Sequence, residues 1–265
     1  MTRSMAAFSD LQFILFDLDG TVYQDPYVHR YYIPLLVENT EFLPWTAALC
    51  QFCDKVLAGE ALEFNAFYLP GTDHARSPEE FFRNLQEMQR PGAEPGTINL
   101  GDAWALVDLI GSSLGLNANG RGEELYLKTR AKMLAKAQPA HPRFREVLEQ
   151  LGQKYITILM SNSGQEVAEE YLRIIGLEGA FGRSVFSARK PHGLLDALNA
   201  VDERALRAPD KLLSIGDFYY NDLALPSGLG AKTIWMNPFP GVKPAPCDLE
   251  LKTVQDLRIF LEQLL

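Results

Sequence analysis

Read for hydrophobic spacing, the chain divides into two styles of text. Leu11 to Phe16 is a short apolar run that stops at an acidic, glycine-containing turn, as a strand buried on both faces of a parallel sheet does. From about Arg143 the pattern becomes regular. The spacing predicts helices over Arg143 to Leu151, Gln165 to Ile175, Leu194 to Val201, Tyr220 to Ser227 and Val254 to Leu264. Between them it predicts strands at Tyr155 to Met160, Arg183 to Ser187, Lys211 to Ile215 and Lys232 to Met236. Thr253 is placed to cap the closing helix. Such alternation calls for crossover connections and a parallel sheet covered on both faces, so the expected fold is α/β with a doubly wound, Rossmann-like core.

Between Tyr23 and about Pro139 the alternation is missing. The text there reads as helical pieces separated by breakers such as Leu69-Pro70-Gly71 and Pro91-Gly92-Ala93-Glu94-Pro95-Gly96. Pro26 marks one edge and Pro139-Ala140-His141-Pro142 the other, which predicts an inserted, mainly helical unit over 23–139 and a discontinuous core made of 1–22 and 140–265. Tyr23, Tyr27, Tyr31 and Tyr32 with Arg30 cluster where this unit begins, a spacing that fits a packed helix face better than a pocket wall.

Composition narrows the functional classes. The 265 residues are 47% hydrophobic and 22% charged, as in an ordinary globular protein. A formal net charge of -9 repels a phosphate backbone and anionic lipid, so neither nucleic acid nor a membrane is expected as a partner. Charged residues or glycine interrupt every apolar run before the roughly 18 to 20 residues that a spanning helix needs. The apolar stretch behind Arg3 runs straight into Asp17 and Asp19 and offers no export signal. Three cysteines give no disulfide framework and fit the cytoplasm, and Cys50-x-x-Cys53, without a second pair, reads as buried structural thiols. His29, His74, His141 and His192 are too scattered to form a ligand pair.

The candidate chemistry lies where strands end, because ligands of a parallel sheet bind beyond the carboxyl ends of its strands. The first strand is followed by Asp17-Leu18-Asp19-Gly20-Thr21, the second by Ser161-Asn162-Ser163, the third by Lys190-Pro191 and the fourth by Gly216-Asp217 through Asn221-Asp222. Asp17 and Asp19 are two apart in extended chain and so share a side, and Gly20 lets the backbone turn away. One carboxylate can attack while the other handles a proton. With Asp217 and Asp222 up to four carboxylates converge, each close pair repelling by about 4 kcal/mol at an effective dielectric of 20, and a hard cation relieves this. Magnesium suits an all-oxygen set better than zinc, which favours His and Cys. Lys190, the Ser161 hydroxyl and nearby helix amides supply donors for a phosphoryl group.

These four motifs, in this order, resemble the haloacid dehalogenase-like hydrolases over about residues 11–22 and 143–237. The resemblance implies that Asp17 is the nucleophile, that Asp19 protonates the leaving oxygen and then activates water, and that Ser161, Asn162 and Lys190 hold phosphate. It implies a magnesium ion on the Asp17 carboxylate, the Asp19 carbonyl and Asp217, with Asp222 acting through a water or a neighbouring ligand. It further implies that the insertion is a helical cap, here longer than usual for the family, and that the substrate is a small phosphate ester cleaved through an aspartyl phosphate. Dehalogenation, a phosphomutase reaction and a catalytically idle binding relative are the competing readings. Asp19 argues against the first of these, and intact Asp17 and Asp217 argue against the last.

Overall fold

The computed structural model describes residues 5–117, 120–239 and 241–265. Strand β1 (Phe13–Phe16) is followed by α1 (Val28–Val37), α2 (Thr46–Leu57), β2 (Phe67–Tyr68), α3 (Pro78–Gln86), β3 (Ile98–Asn99), α4 (Ala103–Ser113) and α5 (Arg121–Leu134). Helices and strands then alternate. They are α6 (Pro142–Lys154), β4 (Ile156–Met160), α7 (Gln165–Ile174), β5 (Arg183–Val185), α8 (Leu194–Asp202), the single turn α9 (Arg204–Arg207) and β6 (Leu212–Gly216). The chain closes with α10 (Ala224–Gly228), β7 (Lys232–Met236), β8 (Leu249–Leu251) and α11 (Val254–Glu262).

Six strands form one sheet in the order β5-β4-β1-β6-β7-β8, and every pairing is parallel. Chain order reverses at β1, which pairs with β4 on one side (Phe13 opposite Ile156) and β6 on the other (Phe13 opposite Leu212). All four β1 side chains are buried, and their alternation supplies both faces. Phe13 and Leu15 pack with Ile158, Met160, Leu194 and Leu198. Ile14 and Phe16 pack with Phe144, Leu148, Leu213 and Leu257. Burial on two faces is why this strand reads as a continuous apolar run with no polar alternation. The expected doubly wound α/β core is therefore present.

Where element boundaries depart from the sequence pattern, a local cause is visible. β5 stops at Val185 because Ser187 turns left-handed, with φ of 50°. Lys211 belongs to a 3₁₀ turn opened by Pro209, which delays β6 to Leu212. The helix expected over Tyr220 to Ser227 is broken into a π turn (Tyr219–Leu223) and the short α10. Pro226 has no N–H for the Asp222 carbonyl one helical turn back, and the Ser214 hydroxyl donates to that carbonyl instead at 2.7 Å. At α11 the cap is as expected. Thr253 Oγ accepts from the Asp256 amide, and the Asp256 carboxylate accepts from the Thr253 amide.

By compactness the chain forms two units, one of residues 1–24, 137–238 and 244–265, the other of 25–136 and 239–243. In the second unit α1 contacts α2, α4 and α5, burying Val28, His29, Tyr32, Ile33, Leu36 and Val37. Its two short strands pair antiparallel. Segment 239–243 departs from the division read in the sequence. It groups with the helices because Gly241 lies so close to the Ala58 carbonyl that a Cβ has no room, and the Phe239 ring packs tilted against Phe64 with centroids 5.7 Å apart. Cys53 is buried and Cys50 partly so, both as free thiols. Among the described residues no helix is long and apolar enough to cross a membrane.

The β1 packing is testable. Ile14 has no exposure, so Ile14→Ala leaves a cavity in the sheet and should cost about 2–5 kcal/mol in urea unfolding. A loss below about 1 kcal/mol would mean the strand is not held from both faces.

Candidate active site

Each residue singled out in the sequence sits just past the carboxyl end of a strand in the first unit: Asp17 after β1, Ser161 after β4, Lys190 in the loop after β5, and Asp217 after β6. The ends of β1 and β6 are tied together, since the Asp17 amide donates to the Ile215 carbonyl at 2.9 Å. Beyond Asp17 the backbone folds back at once. The amides of Thr21 and Val22 both reach the Leu18 carbonyl, and Gly20 adopts a φ of +78°. A Cβ at Gly20 would occupy the space of the Asp217 carboxylate, and one at Gly216 would strike the Asp222 side chain. Two glycines thus make room for two carboxylates beside Asp17.

Lys190 is the hub. Its ammonium donates to Asp17 Oδ1 at 2.7 Å and to Asp222 Oδ1 at 2.6 Å, and the lysine side chain is only 4% exposed. The second oxygens are also engaged. Thr21 donates to Asp17 Oδ2 at 3.3 Å, and the Phe218 amide donates to Asp222 Oδ2 at 3.1 Å. Asp217 is steadied through its backbone, where the Trp235 indole donates to its carbonyl at 2.7 Å. The loop bearing Lys190 is contorted to deliver it. Ser187 and Arg189 are both left-handed, and Gly193 is pressed against the Ala188 carbonyl where no Cβ fits.

Burial, opposed by Lys190 and reinforced by the charges of Asp222 and Asp19, pushes the Asp17 carboxyl up to about 7. For Lys190 burial acts to lower the ammonium, but Asp17 and Asp222 outweigh it and hold it above its ordinary range. One lysine does not balance three carboxylates. Asp17, Asp217 and Asp222 each bring an oxygen within 4.8 Å of the others. Oxygens sharing one octahedral ion at 2.0–2.1 Å stand about 3 to 4 Å apart, so a small closure of this all-oxygen set fits a hard divalent cation. Asp17 and Asp222 each give both carboxylate oxygens to hydrogen bonds within the cluster.

Two residues have partners that the sequence pattern did not foretell. Asn162 clamps the Lys190 backbone, its amide nitrogen donating to the Lys190 carbonyl at 3.1 Å and its oxygen accepting from the Lys190 amide at 2.6 Å. Its side chain is thus occupied in placing the lysine, whereas the resemblance implied a phosphate ligand. Ser161 Oγ accepts from the Ser163 amide at 3.0 Å, leaving its own proton to donate. Ser163, to which the sequence pattern assigns no chemistry, donates its hydroxyl to Asp19 Oδ2 at 2.9 Å. Asp19 is thus tied to the neighbouring strand-end loop, and it is not among the three carboxylates that come within 4.8 Å of one another. Its bridge to Tyr23 closes the turn.

The raised Asp17 carboxyl makes stability depend on pH in metal-free protein. A carboxyl whose folded value lies above its ordinary 3.8 favours the fold below about 4, and that contribution is lost as pH rises through about 7. Asp17→Asn should therefore melt higher than the wild type at pH 8, with the gap closing as pH falls toward 4. Equal melting curves at pH 8 in chelator would contradict the shift.

A family model of haloacid dehalogenase-like hydrolases matches residues 11–225. No curated protein sequence matches the chain. Among solved structures, the HAD-hydrolase YfnB from Bacillus subtilis, crystallised bound to magnesium, is 20% identical, with 95% of this chain and 98% of that chain covered and a TM-score of 0.54. A protein from Thermotoga maritima assigned as a beta-phosphoglucomutase is 15% identical over 96% of this chain and 100% of that chain, with a TM-score of 0.51. The L-2-haloacid dehalogenase RSc1362 is 17% identical over 96% and 99%, with a TM-score of 0.49. At such identities these likenesses concern the fold alone. The family match spans most of the chain and includes all four strand-end motifs, and the protein belongs to the haloacid dehalogenase-like hydrolases.

Proposed function

We propose that the protein is a magnesium-dependent phosphohydrolase that cleaves a small phosphate ester through an aspartyl-phosphate intermediate. The observation that carries this reading is the cluster of buried Asp17, Lys190 and Asp222 with half-buried Asp217, together with a further carboxylate, Asp19, two residues on from Asp17.

In the first step an Asp17 oxygen attacks phosphorus. The bond from phosphorus to the ester oxygen breaks, and protonated Asp19 gives its proton to that leaving oxygen. In the second step the Asp19 carboxylate takes a proton from water as the water oxygen attacks the same phosphorus. The bond to Asp17 breaks, and inorganic phosphate leaves with both carboxyl groups restored. Lys190 has three ammonium protons, of which two lie on Asp17 and Asp222 and a third is left for a phosphate oxygen. The Ser161 proton is a further donor. Asp17 and Asp217 would hold the magnesium ion, whose positive charge would let an anionic carboxylate meet an anionic phosphate. These contributions are positioning and electrostatics, which dominate phosphoryl transfer.

Dehalogenation on the same core has less support. A halide departs without a proton, so an acid-base carboxyl fixed beside the nucleophile would have nothing to do.

Release of p-nitrophenol from p-nitrophenyl phosphate should require magnesium and fall on the order of 10³-fold or more with chelator or in Asp17→Asn. Turnover indifferent to both treatments would overturn the mechanism. Gly20→Ala forces a methyl group into the place of the Asp217 carboxylate, so magnesium should no longer raise the melting temperature of that variant. A wild-type-like rise would show that Asp217 is not a ligand.

A further inference from the structure

We infer that Trp235 is a positioning residue for the magnesium ligand Asp217: its indole N–H holds the Asp217 carbonyl, and that bond sets where the carboxylate of the same residue meets the ion. The inference rests on the magnesium-dependent reading above and deepens it.

A buried tryptophan usually finds some partner for its N–H, so a hydrogen bond alone says little. Here the choice of partner is informative. The indole donates at 2.7 Å to a carbonyl 18 residues earlier in the chain, that of Asp217. The ring itself has no room to drift, since Trp235 is 1% exposed and is the largest of the fully buried side chains. Its strand, β7, is paired on both sides, with Gly216 of β6 and Glu250 of β8 opposite Trp235. Asp217 is the first residue beyond β6, where that ladder has ended, and it is half-buried. A side chain of β7 thus carries the grip of the sheet one residue further than backbone pairing does.

The carboxylate is confined from another direction. It lies where a Cβ of Gly20 would be, so the turn after β1 is shaped around it. With its backbone pinned by the indole and its side chain lodged over Gly20, Asp217 keeps an oxygen within 4.8 Å of oxygens of Asp17 and Asp222. Magnesium demands near-ideal octahedral geometry, so a ligand that swings loses it readily. Hydrogen bonds that orient a ligand are accordingly worth about 10–100-fold in metal affinity.

The test reads magnesium binding directly, by calorimetry on the full chain. Trp235→Phe keeps a buried ring without the donor and should raise the magnesium Kd about 10–100-fold. Ile234→Val loses packing on the opposite side of the same strand and should leave the Kd unchanged. A wild-type Kd in Trp235→Phe would overturn the inference. So would an equal loss in both variants, because any loosening of β7 would then suffice. Should Trp235→Phe fold poorly, β-(3-benzothienyl)alanine in place of Trp235 decides, since it keeps the shape of the indole and carries sulfur where the N–H was. Weakened binding in that protein supports the proposal, and wild-type binding refutes it. NMR of isotope-labelled wild type gives a second readout. Of its three tryptophans, the one whose indole N–H signal is lost in Trp235→Phe should shift as magnesium is added, with the midpoint found by calorimetry. A signal that stays still while magnesium binds counts against the proposal. Failure of the underlying reading would show in the wild type itself, as no magnesium binding or no hydrolysis of phosphate esters, whereas failure of this inference leaves both intact.

Discussion

A lysine ammonium wedged between two buried carboxylates is the constraint on which the rest of this active-site region depends. Removing such charges from water costs several kcal/mol per ion, and an attraction of about 4 kcal/mol per contact at an effective dielectric of 20 does no more than offset it. The Asp17–Lys190–Asp222 arrangement is therefore poor as a stabilising device. Its surroundings nonetheless go to some length to keep it. Two left-handed residues and a glycine without room for a Cβ shape the loop that delivers Lys190, and Asn162 grips that residue's amide and carbonyl. Strain and unfavourable charge gathered in one place are what a reactive site shows.

The parallel sheet makes such a gathering possible. β1 lies where strand order reverses, with β4 and β6 beside it, so loops from distant parts of the chain end next to one another. Because β1 is buried on both faces by residues of two separate clusters, Asp17 is mounted on one of the most tightly held segments of the molecule. The π turn at Tyr219–Leu223 belongs to the same logic. A regular helix would be broken by Pro226, and in the irregular turn Ser214 satisfies the Asp222 carbonyl while the side chain faces Lys190.

Much of this was legible in the sequence, for identifiable reasons. β7 begins and ends where the apolar run does, and Thr253 caps α11 as its spacing suggests, because burial on two faces and capping are local and strong. β8 was missed because Leu249-Glu250-Leu251 is three residues long and pairs only with β7. β2 and β3, of two residues each, carry no period that could be read. The carboxylates and Lys190 were found from their position after strands. The use of Asn162 and Ser163 was not, because it depends on where the loop before Lys190 passes and on the Asp19 rotamer, neither of which a residue pattern encodes. The grouping of 239–243 with the helical unit rests on Gly241 touching Ala58, a contact between distant segments that no local signal announces.

On the phosphohydrolase reading proposed above, the lysine would hold the Asp17 carboxylate until substrate arrives. While the ammonium holds Asp17 at 2.7 Å, part of the nucleophile's charge is spent on that contact, and burial keeps the carboxyl near the neutral range. A phosphate oxygen approaching the third ammonium proton would compete for the same charge and weaken the hold on Asp17. On that reading, substrate binding and loosening of the Asp17 carboxylate would be coupled through one nitrogen. Asp222, fixed by the Phe218 amide, keeps that nitrogen in place throughout the exchange. An aspartate pair without the lysine would lack this coupling, so the proposed reading leans on the geometry of Lys190 more than on the number of acids.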